Sequence, residues 1–506
     1  MVNSLSEILL SQLSEFINAH MGLYFPRGRW RDLERGIGSA AQEFGFKDIE
    51  SCIPWLMSPP LTKNQIEILA RHLTVGETYF FREKKSFEVL EEHIIPELIQ
   101  ARRGTDQHLK IWSAGCCTGE EPYSIAMLLD RLIPDIKNWR ITILATDINV
   151  HFLGKALEGV YGEWSFRDTP QSIKEKYFRR KKDGRFEILP NIKKMVNFMY
   201  LNLVEDTYPA LLNNTVALDM IFCRNVLIYF DPERTKKVIQ KLGHSLVDGG
   251  WLIVSPSETP QVLHSQLVTV NFPGAILYRK DGHEPQTAEN VVLISTTSSH
   301  PLYDEMQTSF QPSFYSVVEG EREVVPSQST RRGDIEEQKR AKPRRTPYEE
   351  ALALYEQGLY VEAAEKIVGL SLQDDSKAIA LLARSYANQG KLTEALEWCE
   401  KAIAADKLNS AYHYLRATIL GEQDQAEEAV TSLKRALYLD QNFVLAHFAL
   451  ANLLVKQGKP GESQKYFENA LSLLSTYRQE ETLPESEGVT AGRLLEIIAS
   501  MIHGKR

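Results

Sequence analysis

The carboxyl-terminal part of the chain repeats itself, which restricts its fold more than any other feature of the sequence does. Gln389-Gly390-Lys391 returns as Gln457-Gly458-Lys459, 68 residues later, or two periods of 34. Small residues keep this spacing at three further points of the period: Ala383, Ala417 and Ala451; Ala402, Ala436 and Ala470; Ala395, Ala429 and Ser463. Such a period is typical of a helix–turn–helix unit, and small residues at fixed points let two helices approach closely. We therefore predict stacked pairs of helices.

This pattern resembles the tetratricopeptide (TPR) repeat. A degenerate copy with Ala351, Gly358 and Ala363 lies upstream, and its spacing of 32 residues to the next repeat implies a shorter loop. The resemblance implies an all-α TPR solenoid over residues 347–480. Amphipathic stretches near 464–475 and 492–502 could cap the array, and we expect a capping helix over residues 481–506. TPR arrays have no chemistry of their own and bind partners on their concave faces, so we expect an unknown protein ligand. An unrelated helical bundle is the alternative.

Composition limits the class of the whole chain. Its 506 residues suggest about three domains. The 58 basic and 67 acidic side chains give a net charge of −9, which argues against nucleic acid as a partner. No apolar run is long enough for a membrane span, and five cysteines without zinc-type spacing indicate neither a disulfide framework nor a metal site. Residues 281–346 are rich in Ser, Glu and Pro and predict a disordered linker. We expect a cytoplasmic protein without direct membrane insertion.

The first 280 residues change from helical periodicity to an alternation of strands and helices. Four stretches have helical periodicity: 4–19, 31–44, 64–72 and 84–102. Five short apolar runs follow, at 109–114, 141–146, 196–201, 218–223 and 251–255, with helical stretches between them at 120–132, 148–157 and 232–247. This alternation predicts a doubly wound α/β sheet that is covered on both faces. Two last runs, 265–271 and 275–279, predict an antiparallel hairpin.

Polar residues and glycines follow the predicted strands where such sheets bind ligands, at the carboxyl ends of the strands. Gly115 and Gly119 in the first of these loops let backbone come close to a ligand. Glu120 and Glu121 stand at the start of the next helix, where the pyrophosphate of NAD would otherwise bind, so they disfavour an NAD enzyme. Asp147, about 30 residues further on, is placed to hold ribose hydroxyls, although it could instead cap a helix. Asn202 and Asn225 end two further strands, and each either satisfies a turn or faces the same ligand.

Four motifs together resemble the CheR family, the S-adenosyl-L-methionine (SAM)-dependent methyltransferases of bacterial chemoreceptors. They are TYFFR (78–82), WSAGCCTGEEPYS (112–124), ATD (145–147) and FCRNVLIYF (222–230), in family order within residues 5–280. The resemblance implies an all-α subdomain over 1–85 joined to a class I SAM-dependent methyltransferase fold over 86–280. It also implies a small β-subdomain at about 160–200.

The resemblance implies roles for particular residues. By motif position, Thr78 and Arg82 contact the methionine end of the cofactor, Glu120 and Glu121 lie near its amino or sulfonium side, Gly115 belongs to the glycine loop, Asp147 holds the ribose, Asn202 and Leu203 flank the adenine, and Asn225 and Val226 close the site. Gly76 is placed at the cofactor too, but it stands where some members carry Asn, which removes a side-chain contact. The segment 254–258 also departs from the family's Gly-His-Ser-Glu pattern, although Ser257-Glu258 remains.

The implied chemistry needs no catalytic base. A glutamate side chain, with an unperturbed pKa of about 4.3, is ionised at pH 7 and can attack a sulfonium methyl directly. The enzyme would align carboxylate, methyl and leaving sulfur and exclude water. Arg82 and Tyr229 are the candidates that orient the substrate carboxylate, and a core tyrosine is the alternative for Tyr229.

A basic helix near the amino terminus is the candidate docking surface for an acidic receptor helix. It carries Arg27, Arg29, Arg31 and Arg35, and the last two share a face at i, i+4 if the helix starts near Arg29. A solvated basic helix is the alternative. The turn at 181–184 in the predicted β-subdomain is tight, so we expect no dependence on a receptor tail peptide.

The sequence therefore predicts an O-methyltransferase that forms glutamate methyl esters on methyl-accepting chemotaxis proteins and recruits partners through TPR repeats. The alternative is a SAM-binding scaffold of a chemosensory complex that acts mainly through its TPR domain. Methylation of small molecules or nucleic acid is disfavoured, because the chain lacks an Asn-Pro-Pro-Tyr-like motif and is acidic.

Overall fold

A computed structural model describes residues 5–503, apart from 59–60, 105–106, 207, 211–212, 263–266, 281–291, 294–345, 369–374 and 487. Almost all of the predicted linker, 281–346, therefore lies outside the described residues. Within it, Val292–Leu293 forms a two-residue strand. Among the described residues, no helix combines the length and the apolar character needed to cross a bilayer.

The amino-terminal residues form four helices around a shared apolar core. The helices are α1 (Glu7–Met21), α2 (Trp30–Glu43), α3 (Ile49–Leu56) and α4 (Lys63–Leu73). Their inner faces bury Leu13, Ile17, Leu33, Ile37 and Leu69 completely. Three of the four were expected from periodicity, whereas α3 was missed. It has only eight residues and contains Pro54, so its pattern is too short to detect.

A longer helical segment leads from this bundle into the sheet. It consists of α5 (Lys84–Val89), a π-helical turn at Leu90–Ile94, and α6 (Ile95–Arg102). Together these elements fill the stretch 84–102 that was predicted as one helix.

Eight strands form the main sheet, in the order β11-β9-β10-β8-β7-β1-β2-β6. Its elements and the small inserted sheet run along the chain as β1 (His108–Ala114), α7 (Glu120–Leu132), β2 (Arg140–Asp147), α8 (Val150–Glu158), β3 (Val160–Tyr161), α9 (Gln171–Tyr177), β4 (Phe178–Arg180), β5 (Phe186–Ile188), α10 (Pro190–Lys193), β6 (Val196–Tyr200), β7 (Leu218–Phe222), α11 (Pro232–Ser245), β8 (Leu246–Ile253), α12 (Thr259–Val262), β9 (Leu267–Phe272), β10 (Ala275–Lys280) and β11 (Val292–Leu293). Every residue of β1 and β7 is buried, as the apolar runs predicted.

The order of the strands reverses at the centre of the sheet. From β1 the chain moves outward through β2 to β6, and it then returns to place β7 and β8 on the other side of β1. These five strands are parallel, whereas β9 and β10 form the predicted antiparallel hairpin. The reversal lies between β1 and β7, so the loops after these two strands flank the position where such sheets bind ligands.

The inserted β-subdomain is a three-stranded antiparallel sheet in the order β3-β5-β4. Its apolar face meets Phe80, whose ring packs 5.0 Å from those of both Phe166 and Phe178. The turn between β4 and β5 is closed by hydrogen bonds between Lys181 and Arg185 and between Gly184 and Lys181.

The carboxyl-terminal residues form the predicted helix pairs and a final helix. The pairs are α13 (Pro347–Glu356) with α14 (Tyr360–Val368), α15 (Ser376–Asn388) with α16 (Leu392–Ala405), α17 (Ser410–Glu422) with α18 (Ala426–Leu439), and α19 (Val444–Lys456) with α20 (Pro460–Leu474), followed by α21 (Ala491–His503). The periodic alanines Ala383, Ala402, Ala436, Ala451 and Ala470 have no measurable exposure, as close helix packing requires. An ion pair between Arg384 of α15 and Glu485, in the segment after α20, joins the second pair to the end of the array.

The first three helix pairs contact the methyltransferase domain at the amino-terminal ends of the parallel strands, opposite the end where such sheets bind ligands. At Gly358 an added Cβ would lie 2.5 Å from Nδ1 of His244, which is near the end of α11. At Gly390 it would lie 3.1 Å from Cβ of Ala217, just before β7. In the third pair, the Lys110 ammonium on β1 donates to Glu422 at 2.6 Å, and only 7% of the Lys110 side chain is exposed.

Candidate cofactor pocket

A pocket of about 650 Å³, a volume that includes space open to solvent, lies at the carboxyl ends of β1, β2, β6 and β7. The pocket is lined by Met21, Leu23, Thr74, Val75, Gly115, Cys117, Asp147, Ile148, Phe152, Leu201, Asn202, Leu203, Asn225, Val226, Tyr229 and Phe230. The structure therefore brings together several of the predicted cofactor residues, namely Gly115, Asp147, Asn202, Leu203, Asn225 and Val226.

The glycine loop forms one wall of the pocket by direct packing against the loop after β7. Gly115 has φ 81°, and an added Cβ would lie only 2.3 Å from Cγ2 of Val226. A side chain at position 115 would therefore be strained in its backbone and would displace Val226. Gly115 and Cys116 also donate their N–H groups to the Thr146 carbonyl, which anchors the loop to the end of β2.

The Asp147 carboxylate is the charged group among the pocket's lining residues. Its Oδ2 accepts the N–H of Cys117 at 2.9 Å, and its Oδ1 accepts the N–H of Asn149 at 2.8 Å. Burial raises the pKa of Asp147 to about 6, although these backbone donors oppose the shift. The carboxylate retains acceptor capacity on both oxygens, which is what a pair of ribose hydroxyls would need.

Residues 201–203 form a third side of the pocket. The Asn202 amide oxygen accepts the N–H of Val204 at 3.0 Å, and the Asn202 N–H donates to Asp206 Oδ2 at 2.6 Å. The Leu203 carbonyl accepts the Tyr208 hydroxyl at 2.8 Å. Hydrogen bonds within the loop therefore fix the backbone at Asn202 and Leu203, and both residues line the cavity.

Glu258 holds the loop after β7 in place. Its fully buried carboxylate accepts the N–H groups of Asn225, Val226 and Leu227 at 2.7–2.8 Å, as well as the Ser255 N–H at 3.0 Å. Asn225 itself has φ 59°, a left-handed backbone that this set of bonds stabilises. Ser257-Glu258 was recognised as part of the family pattern, but this role could not be predicted, because Asn225, Val226 and Leu227 lie some 30 residues away in the sequence and are contacted through their backbone.

The remaining predicted cofactor residues do not line the pocket. Glu120 accepts the hydroxyls of Thr118 and Ser165, and Glu121 accepts the Ser113 hydroxyl and pairs with Arg224 at 3.0 Å. Burial raises the pKa of both carboxyls. Gly76 lies against the Phe152 ring, where an added Cβ would be 2.6 Å from the ring, while Thr78 is half-buried.

Arg224 links Glu121 to the segment that carries Arg82. Its side chain is 2% exposed, and it pairs with Glu83 and Glu121 at 3.0 Å and donates to the Arg82 carbonyl. The Arg82 side chain donates to the Glu77 carbonyl at 2.6 Å. A buried arginine needs carboxylate partners. The position of Arg224 just after the buried strand β7 is a sequence signal that could have identified it as a positioning residue.

Tyr229 lines the pocket beside an arginine of the basic helix region. The Arg29 guanidinium lies 5.1 Å from the centre of the Tyr229 ring and 5.0 Å from that of Phe25. Burial raises the pKa of Tyr229, so its hydroxyl stays protonated at neutral pH and can donate a hydrogen bond. The predicted docking residue Arg29 therefore packs on a pocket-lining tyrosine, although it does not itself line the pocket.

The other predicted docking arginines lie on the surface. Arg27, Arg31 and Arg35 are exposed, and the first and last pair at 2.8 Å with Glu7 and Asp32. The helix begins at Trp30, after a 3₁₀ turn at Arg27–Arg29, so Arg31 and Arg35 share one face as expected.

Metal ligation has no support in the part of the chain that the structure describes. No group of three or more His, Cys, Asp or Glu residues is placed there to hold an ion. Burial raises the pKa of the Cys116 and Cys117 thiols, so neither is a ready thiolate ligand or nucleophile.

A doubly wound sheet with its pocket at the switch point, joined to TPR helix pairs, has the architecture of a class I methyltransferase fold followed by a TPR array. Family models agree: "CheR methyltransferase, SAM binding domain" matches residues 76–272, "TPR repeat" matches 419–458, and "Tetratricopeptide repeat" matches 444–473. A model of the anaphase-promoting complex, cyclosome, subunit 3, also matches residues 348–436.

The chain is 34% identical over 252 residues to the chemotaxis protein methyltransferase of Borreliella burgdorferi, covering 49% of this chain and 87% of that one. It is 35% identical to chemotaxis protein methyltransferase 2 of Vibrio cholerae (43% and 73% covered) and 36% identical to chemotaxis protein methyltransferase 1 of Pseudomonas aeruginosa (42% and 77% covered). A crystal structure of MamA covers 26% of this chain and 77% of its own at 16% identity, with a TM-score of 0.25, which is too low to support an inference. The chain belongs to the CheR family of chemotaxis protein methyltransferases and carries carboxyl-terminal TPR repeats.

Proposed function

We propose that the protein transfers the methyl group of SAM to glutamate side chains of methyl-accepting chemotaxis proteins. The observation that carries this proposal is the pocket at the strand ends, where Gly115, Asp147, Asn202, Leu203, Asn225 and Val226 meet. These residues belong to four separate stretches of the sequence, and each was assigned to the cofactor by its motif.

The chemistry of the pocket suits SAM. Asp147 would accept the ribose hydroxyls, Asn202 and Leu203 would flank the adenine, and the loop at Asn225 and Val226 would close over the cofactor. The apolar part of the wall includes Phe152 and Leu201, which suits a purine ring. When bound, SAM supplies a methyl group on a positively charged sulfur.

The transfer step requires alignment rather than acid–base catalysis. An oxygen of the glutamate carboxylate forms a bond to the methyl carbon while the carbon–sulfur bond breaks and its electron pair stays on sulfur. The products are a methyl ester and neutral S-adenosylhomocysteine, and no proton moves. The substrate carboxylate is ionised at pH 7, so the residues around it have to position it and exclude water.

Arg82, Tyr229 and Arg29 are the proposed substrate-positioning groups. Tyr229 lines the pocket and can donate a hydrogen bond from its hydroxyl to a carboxylate oxygen, and Arg29 lies against its ring. Arg27, Arg31 and Arg35 extend the positive charge outward, which suits a receptor helix that carries glutamates. The TPR array would recruit a protein partner.

Methyl transfer to a receptor fragment tests the proposal. The full chain, radiolabelled SAM and the cytoplasmic helical fragment of a chemoreceptor should yield label that alkali releases as methanol, which marks an ester. A receptor fragment with its methylatable glutamates changed to alanine, and the Asp147→Ala enzyme, serve as controls and should stay unlabelled. Cofactor binding without any base-labile label on receptors would instead support the scaffold that acts through its TPR array.

A further inference from the structure

The last helix of the chain reaches the strand end beside the cofactor pocket. Arg493 of α21 forms a two-point ion pair with Asp206: Nε lies 2.8 Å from Oδ1, and Nη2 donates to Oδ2 at 2.9 Å. Nη2 also donates to the Tyr200 carbonyl at 3.2 Å, and the guanidinium lies 4.3 Å from the centre of the Tyr200 ring. The two charged side chains are 17% and 14% exposed, so the pair is largely withdrawn from solvent.

Asp206 transmits this contact directly to a pocket residue. The same Oδ2 atom accepts the backbone N–H of Asn202 at 2.6 Å, and the Asp206 N–H donates back to the Asn202 carbonyl at 2.9 Å. Tyr200, the other residue held by Arg493, ends the strand that continues into Leu201 and Asn202, both of which line the pocket. A side chain 287 residues away in sequence therefore holds both ends of a segment that forms one wall of the pocket.

We propose that Arg493 is a positioning residue of the cofactor pocket and couples the TPR array to cofactor affinity. The proposal rests on the proposed function, since it takes residues 201–203 as part of the cofactor site. A guanidinium–carboxylate fork fixes both the position and the orientation of Asp206. Without it, the segment 201–206 has more conformations available and must be ordered when the cofactor binds. By reciprocity, a bound cofactor strengthens the docking of α21.

Binding of S-adenosylhomocysteine to the full chain, measured by calorimetry, tests the first part of the proposal. Arg493→Met should weaken binding about tenfold, within the range measured for coupled side chains in one network. Arg416→Met is the matched control, because Arg416 is 23% exposed and contacts Glu400, Glu428 and Ser432 inside the array. This control should bind as the unmodified chain does. Equal affinity of the two variants would overturn the proposal.

A double-mutant cycle shows whether Arg493 acts through Asp206. If it does, Arg493→Met combined with Asp206→Asn should bind within about twofold of the weaker single variant. Losses that multiply would mean that the two residues act independently, which would count against the coupling. If Arg493→Met does not fold, Arg493→Lys provides the test, because it keeps the charge but loses the fork. This variant should bind several-fold more weakly than the unmodified chain, and full affinity would refute the proposal.

Amide hydrogen exchange gives a readout that a purely structural role would not change. S-adenosylhomocysteine should slow exchange in α21 of the unmodified chain and of Arg416→Met, but not in Arg493→Met. Absence of this effect in the unmodified chain would refute the coupling. If the unmodified chain bound no S-adenosylhomocysteine at all, the proposed function would fail instead, so the two failures are distinguishable.

Discussion

At the scale of single residues, the Asp147 carboxylate is subject to two opposing effects. Two backbone N–H groups stabilise its ionised form, while burial favours the protonated form and raises its pKa to about 6. Its charge therefore changes close to neutral pH, whereas an exposed aspartate remains ionised down to a pH of about 4. The state of this one group should be visible in cofactor binding.

We expect S-adenosylhomocysteine affinity to fall as the pH drops through about 6, because a protonated Asp147 accepts fewer hydrogen bonds. Asp147→Asn should bind about tenfold more weakly at pH 8, since hydrogen bonds to charged groups contribute more than neutral ones, and its affinity should not change between pH 5 and 8. Calorimetric titrations across this pH range provide the measurement. Asp183→Asn, in an exposed turn, is the control, and a pH dependence that persists in Asp147→Asn would assign the transition to another group.

Glu258 is the second residue whose environment leads to a prediction. Glu258→Gln replaces an acceptor oxygen by an NH₂ group that faces backbone donors, so at least two of its hydrogen bonds are lost. We expect the thermal midpoint of the methyltransferase domain to fall by about 5–10 °C, given the cost of removing one partner from a buried charged network. Differential scanning fluorimetry measures this change. The exposed Glu233→Gln is the matched control, and equal midpoints would show that the loop does not depend on Glu258.

The sequence predicted that certain residues at the ends of strands lie close together, and the reason is geometric. Gly115, Asp147 and Asn225 meet because parallel strands end at one edge of the sheet, so topology alone predicts their proximity. Met21 and Leu23 also line the pocket, but they come from the end of α1 in a separate helical bundle. No local pattern encodes how that bundle packs on the sheet, so this part of the wall could not be predicted.

At the scale of elements, α2 packs its apolar side against the amino-terminal bundle and exposes charged side chains on its other side. Leu33, Ile37 and Ala40 are fully buried, while Arg31 and Arg35 are exposed on the opposite face. The same helix therefore both holds the amino-terminal bundle together and presents positively charged side chains on its exposed face.

Charge reversal on this helix should separate receptor docking from cofactor binding. Arg31→Glu combined with Arg35→Glu should lower the rate of receptor methylation about tenfold at low salt, because opposite potentials steer association. The affinity for S-adenosylhomocysteine should stay unchanged. Initial rates at several salt concentrations provide the measurement, with Lys47→Glu as a control on the same subdomain. If the reversed variant methylated the receptor at the unmodified rate, this face would not be the docking surface.

Element boundaries show where tertiary contacts override local pattern. The last parallel strand was expected at 251–255, yet β8 begins at Leu246. Asp248 and Gly249 interrupt the apolar run, and Gly249 has φ 80°, so the sequence does not read as a strand there. Pairing with β7 continues across this irregularity through a shift in register, which only the neighbouring strand can impose.

At the scale of the whole molecule, the carboxyl-terminal helices contact the sheet at both ends of its parallel strands. The first three helix pairs contact the end where these strands begin, through Gly358, Gly390 and Glu422. Its last helix reaches the carboxyl end of β6 through Arg493. The methyltransferase domain and the repeats are therefore in contact at both ends of the parallel strands.

Reversing one charge at this interface should loosen it, and reversing both should restore it. Glu422→Lys places a second positive charge beside the nearly buried Lys110 ammonium. Leaving a buried charge without its partner costs about 3–5 kcal/mol, so we expect faster amide hydrogen exchange at the start of β1 and at the end of α17. Adding Lys110→Glu should return exchange to its original rate. Unchanged exchange in the single variant would mean that the pair does not hold the array in place.

The ion pair between Arg384 and Glu485 has a consequence for how the array comes apart. In an ordinary repeat protein each unit touches only its neighbours, so the terminal units can fray without disturbing those further in. Here the segment that follows the fourth helix pair is tied to the first helix of the second pair. Loss of the carboxyl-terminal segment therefore removes a contact from the middle of the array, so its repeats should unfold together as one cooperative unit rather than one by one from the end.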